Sequence, residues 1–107
     1  MKRYLERLQT TAVERLLRQF PVVVITGARQ TGKTTLVEHL PSAAGRRFRT
    51  LDDPLTADLA LRDPELLLTE APRLALDEVQ RRPELLLAIK RLVDKDRVAG
   101  RFLLTGS

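Results

Sequence analysis

The sequence predicts an α/β fold, and three observations carry that prediction. A β-branched run, Val22-Val23-Val24-Ile25, leads almost directly into Gly27-Ala28-Arg29-Gln30-Thr31-Gly32-Lys33-Thr34, which satisfies the phosphate-loop pattern G-x-x-x-x-G-K-[ST]. After the loop, Leu36, Val37 and Leu40 recur at helical spacing until Pro41 closes the pattern. Further on, the short apolar runs Leu74-Ala75-Leu76 and Phe102-Leu103-Leu104 read as buried strands, and an amphipathic stretch separates them.

The phosphate loop has a physical reason at each fixed position. Gly27 and Gly32 allow backbone conformations that a Cβ would forbid, so successive N–H groups turn inward and cradle a phosphate chain. Ala28, Arg29, Gln30, Thr31 and Thr35 complete the candidate nucleotide-binding set. Lys33 supplies a compact positive charge for the β- and γ-phosphates, and Thr34 a hydroxyl ligand for Mg²⁺. A strand before the loop and a helix after it direct the helix's positive end at the phosphates.

Composition narrows the class. The chain has 107 residues, enough for one domain with a real core. It contains no cysteine, which excludes disulfides and thiolate metal sites. No apolar run approaches membrane-spanning length, and Met1-Lys2-Arg3-Tyr4-Leu5-Glu6-Arg7 does not resemble a secretory signal, so a cytoplasmic location is expected. The formal net charge is +5 and is uneven. Residues 1–49 hold ten Lys/Arg against three Asp/Glu, whereas residues 50–107 hold nine against eleven. A basic first half is compatible with nucleic acid, but aromatic residues make up only 4% and there is no tryptophan to stack on bases.

In chain order, residues 2–19 form an amphipathic helix. Leu5, Leu8, Ala12, Leu16 and Phe20 make one stripe, Val13 and Leu17 lie beside it, and packing on the domain is expected. The lone histidine, His39, has no companion ligand and reads as a surface residue. Residues 42–46 are expected to be a loop. Residues 47–51 alternate polar and apolar, which suits a strand at a sheet edge. Asp53-Pro54 and Asp63-Pro64 repeat one helix-opening device, an aspartate N-cap followed by proline at the first helical position. Capping explains Asp52 and Asp53 better than a metal pair does.

The strand at Leu74-Ala75-Leu76 ends in Asp77-Glu78, the arrangement expected to face a phosphate loop. Asp77 would hold Mg²⁺, usually through a water, and Glu78 would polarise the attacking water as general base. Arg82-Pro83 opens a further helix, with Leu85, Leu86, Ile89, Leu92 and Val93 on one face. The last strand runs into Thr105-Gly106-Ser107, where Thr105 and Ser107 are both candidates to reach the γ-phosphate or the water.

The series GARQTGKTTL, LDDP, LALDEVQ with a following proline helix, AIKRLVD and RFLLTGS resembles a prokaryotic AAA+-type ATPase family. Members of that family usually carry the ATPase domain first and a C-terminal domain of unknown function after it. The resemblance implies a P-loop NTPase fold of the additional-strand, AAA+/RecA-like class. That is a three-layer sandwich with a mostly parallel sheet ordered 5-1-4-3-2, whose first four strands lie near residues 22–26, 47–51, 73–77 and 101–105. It makes ATP the preferred nucleotide, with Mg²⁺, and hydrolysis the expected activity of the complete protein. Residues 1–20 would be an N-terminal helix, and residues 21–107 the ATPase core from Walker A to sensor 1.

On this mapping the family's fifth strand, its adenine lid and its C-terminal domain fall beyond Ser107. An arginine finger would come from that domain or from a neighbouring subunit. Val22–Thr26 would then be an edge strand, and self-association is expected. Three other classes use similar parts. A non-hydrolysing nucleotide switch or partner-binding module would bind ATP without turnover. A small-molecule kinase would need an acceptor pocket and lid residues that are not evident. A nucleic-acid module would show salt-dependent binding without nucleotide.

Overall fold

The computed structural model describes residues 2–26, 37 and 40–106, with only the backbone of residues 2–7. The residues of the phosphate loop, His39 and Ser107 lie outside the described residues.

Helix α1, Lys2–Gln19, stops where Phe20-Pro21 removes the next donor, and strand β1, Val22–Thr26, follows at once. Pro41–Gly45 forms a 3-10 turn instead of the expected open loop, with proline at its first position. Strand β2, Arg47–Thr50, comes next. Helix α2, Pro54–Arg62, is capped by Asp53, whose Oδ2 accepts from the Thr56 amide at 3.3 Å and the Thr56 hydroxyl at 2.9 Å. Helix α3, Pro64–Leu68, is capped by Asp63, which accepts from the Leu66 amide at 3.1 Å. Both aspartate-proline openings therefore work through the side-chain oxygen, as capping requires. Strand β3 is Leu74–Asp77, a 3-10 turn covers Val79–Arg81, helix α4 is Glu84–Lys95, and strand β4 is Phe102–Gly106.

The four strands form one sheet in the order β1-β4-β3-β2, every pair parallel. This is the 1-4-3-2 portion of the expected order. Register places Val22 against Phe102 and Thr26 against Gly106, Leu74 against Phe102, and Thr50 against Asp77. Parallel strands need cover on both faces, which explains why β4 is buried along its whole length.

Alternate residues divide the core. Phe102, Leu104, Leu74 and Leu76 pack toward Ala60, Leu67, Leu68, Leu85 and Ile89 of α2, α3 and α4. Leu103, Ala75 and Val23 pack toward Val13 and Leu17 of α1, together with Val37 and Leu40. The result is helix, sheet and helix in three layers.

Two helix faces differ from the sequence expectation. Among the described side chains of α1 the buried positions are Val13 and Leu17, whereas Leu8, Leu16 and Phe20 of the expected stripe are 50%, 41% and 43% exposed. Ala12 is exposed as well, and Leu5 lies outside the described side chains. The two stripes adjoin on the helix, and the sheet selects the narrower one. In α4, Leu85 and Ile89 are buried and Leu92 and Val93 pack against them, but Leu86 points away and is exposed. One residue along a helix is a rotation of about 100°, enough to move Leu86 off the face that Leu85 occupies.

At the amino ends of the strands, Arg46 is buried and donates from Nη1 to the Leu74 carbonyl at 3.2 Å. Burial, and the nearby Arg73, pull its pKa below the ordinary guanidinium value, while Glu14 opposes them. Glu14 in turn accepts from the amide and hydroxyl of Ser42 at 3.1 and 2.7 Å, tying α1 to the 3-10 turn.

Gly100 closes the turn before β4 with φ +76°. A Cβ there would stand 2.9 Å from the Leu17 carbonyl oxygen. Gly100→Ala is therefore expected to destabilise by about 1–3 kcal/mol, from left-handed strain plus the clash. A shift in the urea midpoint with unchanged slope would report it, and no shift would mean that the turn is not held as described.

Candidate functional site at the carboxyl edge of the sheet

All four strands run the same way, so their carboxyl ends share one edge: Thr26, Thr50, Asp77 and Thr105-Gly106. The phosphate-loop sequence begins one residue after Thr26, and chain connectivity starts it at this edge. Ligands of open α/β sheets bind outside the carboxyl ends of the strands, where the connections diverge.

Asp77 is at the centre of the described part. Its Oδ1 accepts from the Thr105 hydroxyl at 2.6 Å, and its Oδ2 faces the Thr50 hydroxyl at 3.4 Å. The first is a short, charge-assisted bond, while the second is long and weak. Thr105 is only 2% exposed, so the bond fixes one carboxylate oxygen from below. Each carboxylate oxygen offers two lone pairs, and acceptor capacity remains for a cation. A carboxylate joined by hydroxyls, waters and phosphate oxygens is the donor set that Mg²⁺ takes. Among the described residues there is no group of three or more His, Cys, Asp or Glu able to hold a metal by themselves.

Glu78 follows β3 in a left-handed conformation, φ 57° and ψ 41°, and is the only described non-glycine residue with positive φ. That conformation costs roughly 1–3 kcal/mol. It turns the chain abruptly at the sheet edge and leaves the Glu78 side chain only 7% exposed. Its Oε2 accepts from the Gln80 amide at 2.6 Å. Asp52 pairs with Arg81 at 2.5 Å, so Asp52 fastens the turn after Glu78, while Asp53 caps α2.

Sequence reasoning named Asp77, Glu78 and Thr105, and the structure brings Asp77 and Thr105 into direct contact. It missed Thr50 and Gln80. Thr50 is the register partner of Asp77 across β2 and β3, which only the strand pairing reveals. Gln80 sits two residues beyond Glu78, and a turn that starts with positive φ at a glutamate leaves no readable sign in the chain. The remaining candidates, Gly27 to Thr35 and Ser107, lie outside the described residues. Two arginines of the basic first half, Arg47 and Arg49, both pair with Glu70, at 2.9 and 3.1 Å.

A four-stranded parallel sheet with helices on both faces, and a carboxylate strand end one strand removed from the strand that leads into the loop, is the arrangement of a P-loop NTPase-like domain. The comparison with protein families agrees: the AAA domain model matches residues 19–107, and the chain belongs to that family. It is also 38% identical over 105 residues to Rv2008c of Mycobacterium tuberculosis and, equally, to Mb2031c of Mycobacterium bovis, both uncharacterized proteins. Each alignment covers 96% of this chain and 24% of the relative, so the chain spans about a quarter of their length. No solved structure matches the chain. No helix among the described residues is long and apolar enough to cross a membrane.

Proposed function

We propose that this chain binds ATP with Mg²⁺ and carries the hydrolytic residues of an ATPase, residues 21–107 forming the core and residues 1–20 a helix packed on it. The observation that supports this best is the Thr105–Asp77 bond of 2.6 Å at the sheet edge where the loop sequence begins. AAA domain membership supports nucleotide-dependent ATPase chemistry in general.

In this reading main-chain amides from Ala28 to Thr34 cradle the phosphates and Lys33 offsets their charge. Thr34 and Asp77 hold the cation, which when bound neutralises charge that builds on the phosphate oxygens. Glu78 accepts a proton from the attacking water and aims it along the line of displacement. Thr105 donates its one hydroxyl proton to Asp77 and keeps that carboxylate oriented, which leaves Ser107 as the hydroxyl to reach the γ-phosphate. An arginine finger would come from a following domain or a second subunit.

Calorimetric titration with ATP and Mg²⁺ tests the reading, with Lys33→Ala beside the unchanged chain. Binding is expected for the chain, and a loss of at least about tenfold in affinity for the variant, because Lys33 is a principal cation facing the phosphates. Equal binding by both proteins would remove the loop from the site.

A further inference from the structure

We infer that Gln80 is a positioning residue for hydrolysis, its side-chain amide fixing the Glu78 carboxylate against the tip of β4. The inference rests on the reading of Glu78 as the base that activates water.

Both ends of the Gln80 segment are fastened. The Arg81 amide donates to the Glu78 carbonyl at 3.1 Å and the Arg82 amide to the Val79 carbonyl at 3.1 Å. Val79 is buried in the core, and the Arg81 guanidinium pairs with Asp52 at 2.5 Å. The Gln80 backbone is therefore set by its neighbours, and its side chain has two engagements. Nε2 donates to Glu78 Oε2 at 2.6 Å, a short bond to a charged acceptor. Oε1 lies 2.6 Å from where a Cβ on Gly106 would stand. A side chain at Gly106 would meet Gln80 in that place, so the amide lies between the tip of β4 and the carboxylate it donates to.

A general base works only while its oxygen stays within hydrogen-bond reach of the water, and misplacement by about 1 Å can cost on the order of 100-fold. Glu78 projects from a strained left-handed residue at a sheet edge, and its side chain has rotatable bonds of its own. Gln80 supplies a restraint on that freedom from one side. Thr105 lies one residue before Gly106 on the same strand and holds Asp77, so β4 reaches the metal-side carboxylate through Thr105 and the base through Gln80.

The test measures ATP hydrolysis by the full chain carrying Gln80→Ala, Gln80→Met, Glu78→Gln, and each Gln80 change combined with Glu78→Gln. Gln80→Met keeps the length and removes the donor, so it serves if the alanine variant folds poorly. Each Gln80 change alone is expected to lower kcat by roughly 10- to 100-fold, with the KM for ATP unchanged. In the Glu78→Gln background the same change is expected to cost less than about twofold, because the group it positions is already gone. Losses that multiply in the double variant would mean a general structural role and would overturn the inference. An unchanged or raised kcat in Gln80→Met would overturn it as well. A failure of Glu78→Gln itself to slow hydrolysis would defeat the underlying reading of the base, a distinct result seen without any Gln80 variant.

Discussion

Glu78→Gln is expected to slow ATP hydrolysis by about 100- to 10,000-fold while leaving the affinity for ATP and Mg²⁺ nearly unchanged. The two effects separate because different groups produce them. Affinity, in the proposed reading, comes from the main-chain amides of the loop, Lys33, Thr34 and Asp77, none of which the substitution touches. Glutamine keeps the volume of glutamate and one carbonyl oxygen that can still accept from Gln80 Nε2, so the buried side chain has no reason to move. What disappears is a group able to take a proton. Single-turnover hydrolysis measured beside calorimetric titration checks the split. Equal loss of binding and turnover would show that Glu78 belongs to the nucleotide's binding surface, and the base would have to be sought elsewhere.

How far this site was legible in the chain depends on whether a residue acts through local pattern or through pairing. The phosphate loop is a local pattern, and its glycines, lysine and threonine can be named without any fold. Asp77 and Glu78 are half local, since an apolar run ending in two carboxylates gains meaning only from the loop before it. Thr105 needs more. The sequence offers Thr105 and Ser107 equally as strand-tip hydroxyls, and only the packing of β4 beside β3 carries the Thr105 hydroxyl to Asp77. Gln80 was not legible at all, because its role depends on the positive φ of Glu78 and the lack of a side chain at Gly106.

The fold shows the same division. Aspartate-proline openings predicted α2 and α3 correctly because a cap is decided within four residues. The inward face of α1 was misjudged because two adjoining apolar stripes satisfy helical spacing, and the choice between them belongs to the sheet. Leu8, Leu16 and Phe20 remain outside together with Val24, which is 54% exposed on β1, a strand that among the described residues pairs with β4 alone. That combination fits the expectation that Val22–Thr26 forms an edge.

Phe102→Ala should bring the largest loss of stability, about 3–5 kcal/mol. Phe102 has no exposed surface, sits on the central strand β4, and stands in register with Val22 on one side and Leu74 on the other. Its ring belongs to the cluster formed with Leu67, Leu68 and Leu85, and the Arg101 guanidinium lies 5.1 Å from the ring centroid. Removing the ring forfeits its transfer from water and opens a cavity that a close-packed parallel sheet cannot collapse around. The Phe102 amide still donates to the Pro21 carbonyl at 2.8 Å, so the loss comes from packing and not from the ladder. A domain has about 5–15 kcal/mol in total, so a large share of the stability is at stake. Val24→Ala is the internal comparison, expected within about 0.5 kcal/mol because its side chain is largely in water. Urea denaturation of both variants measures the difference. A loss below about 1 kcal/mol for Phe102→Ala would contradict the central place of β4, and with it the strand order that brings Thr105 to Asp77.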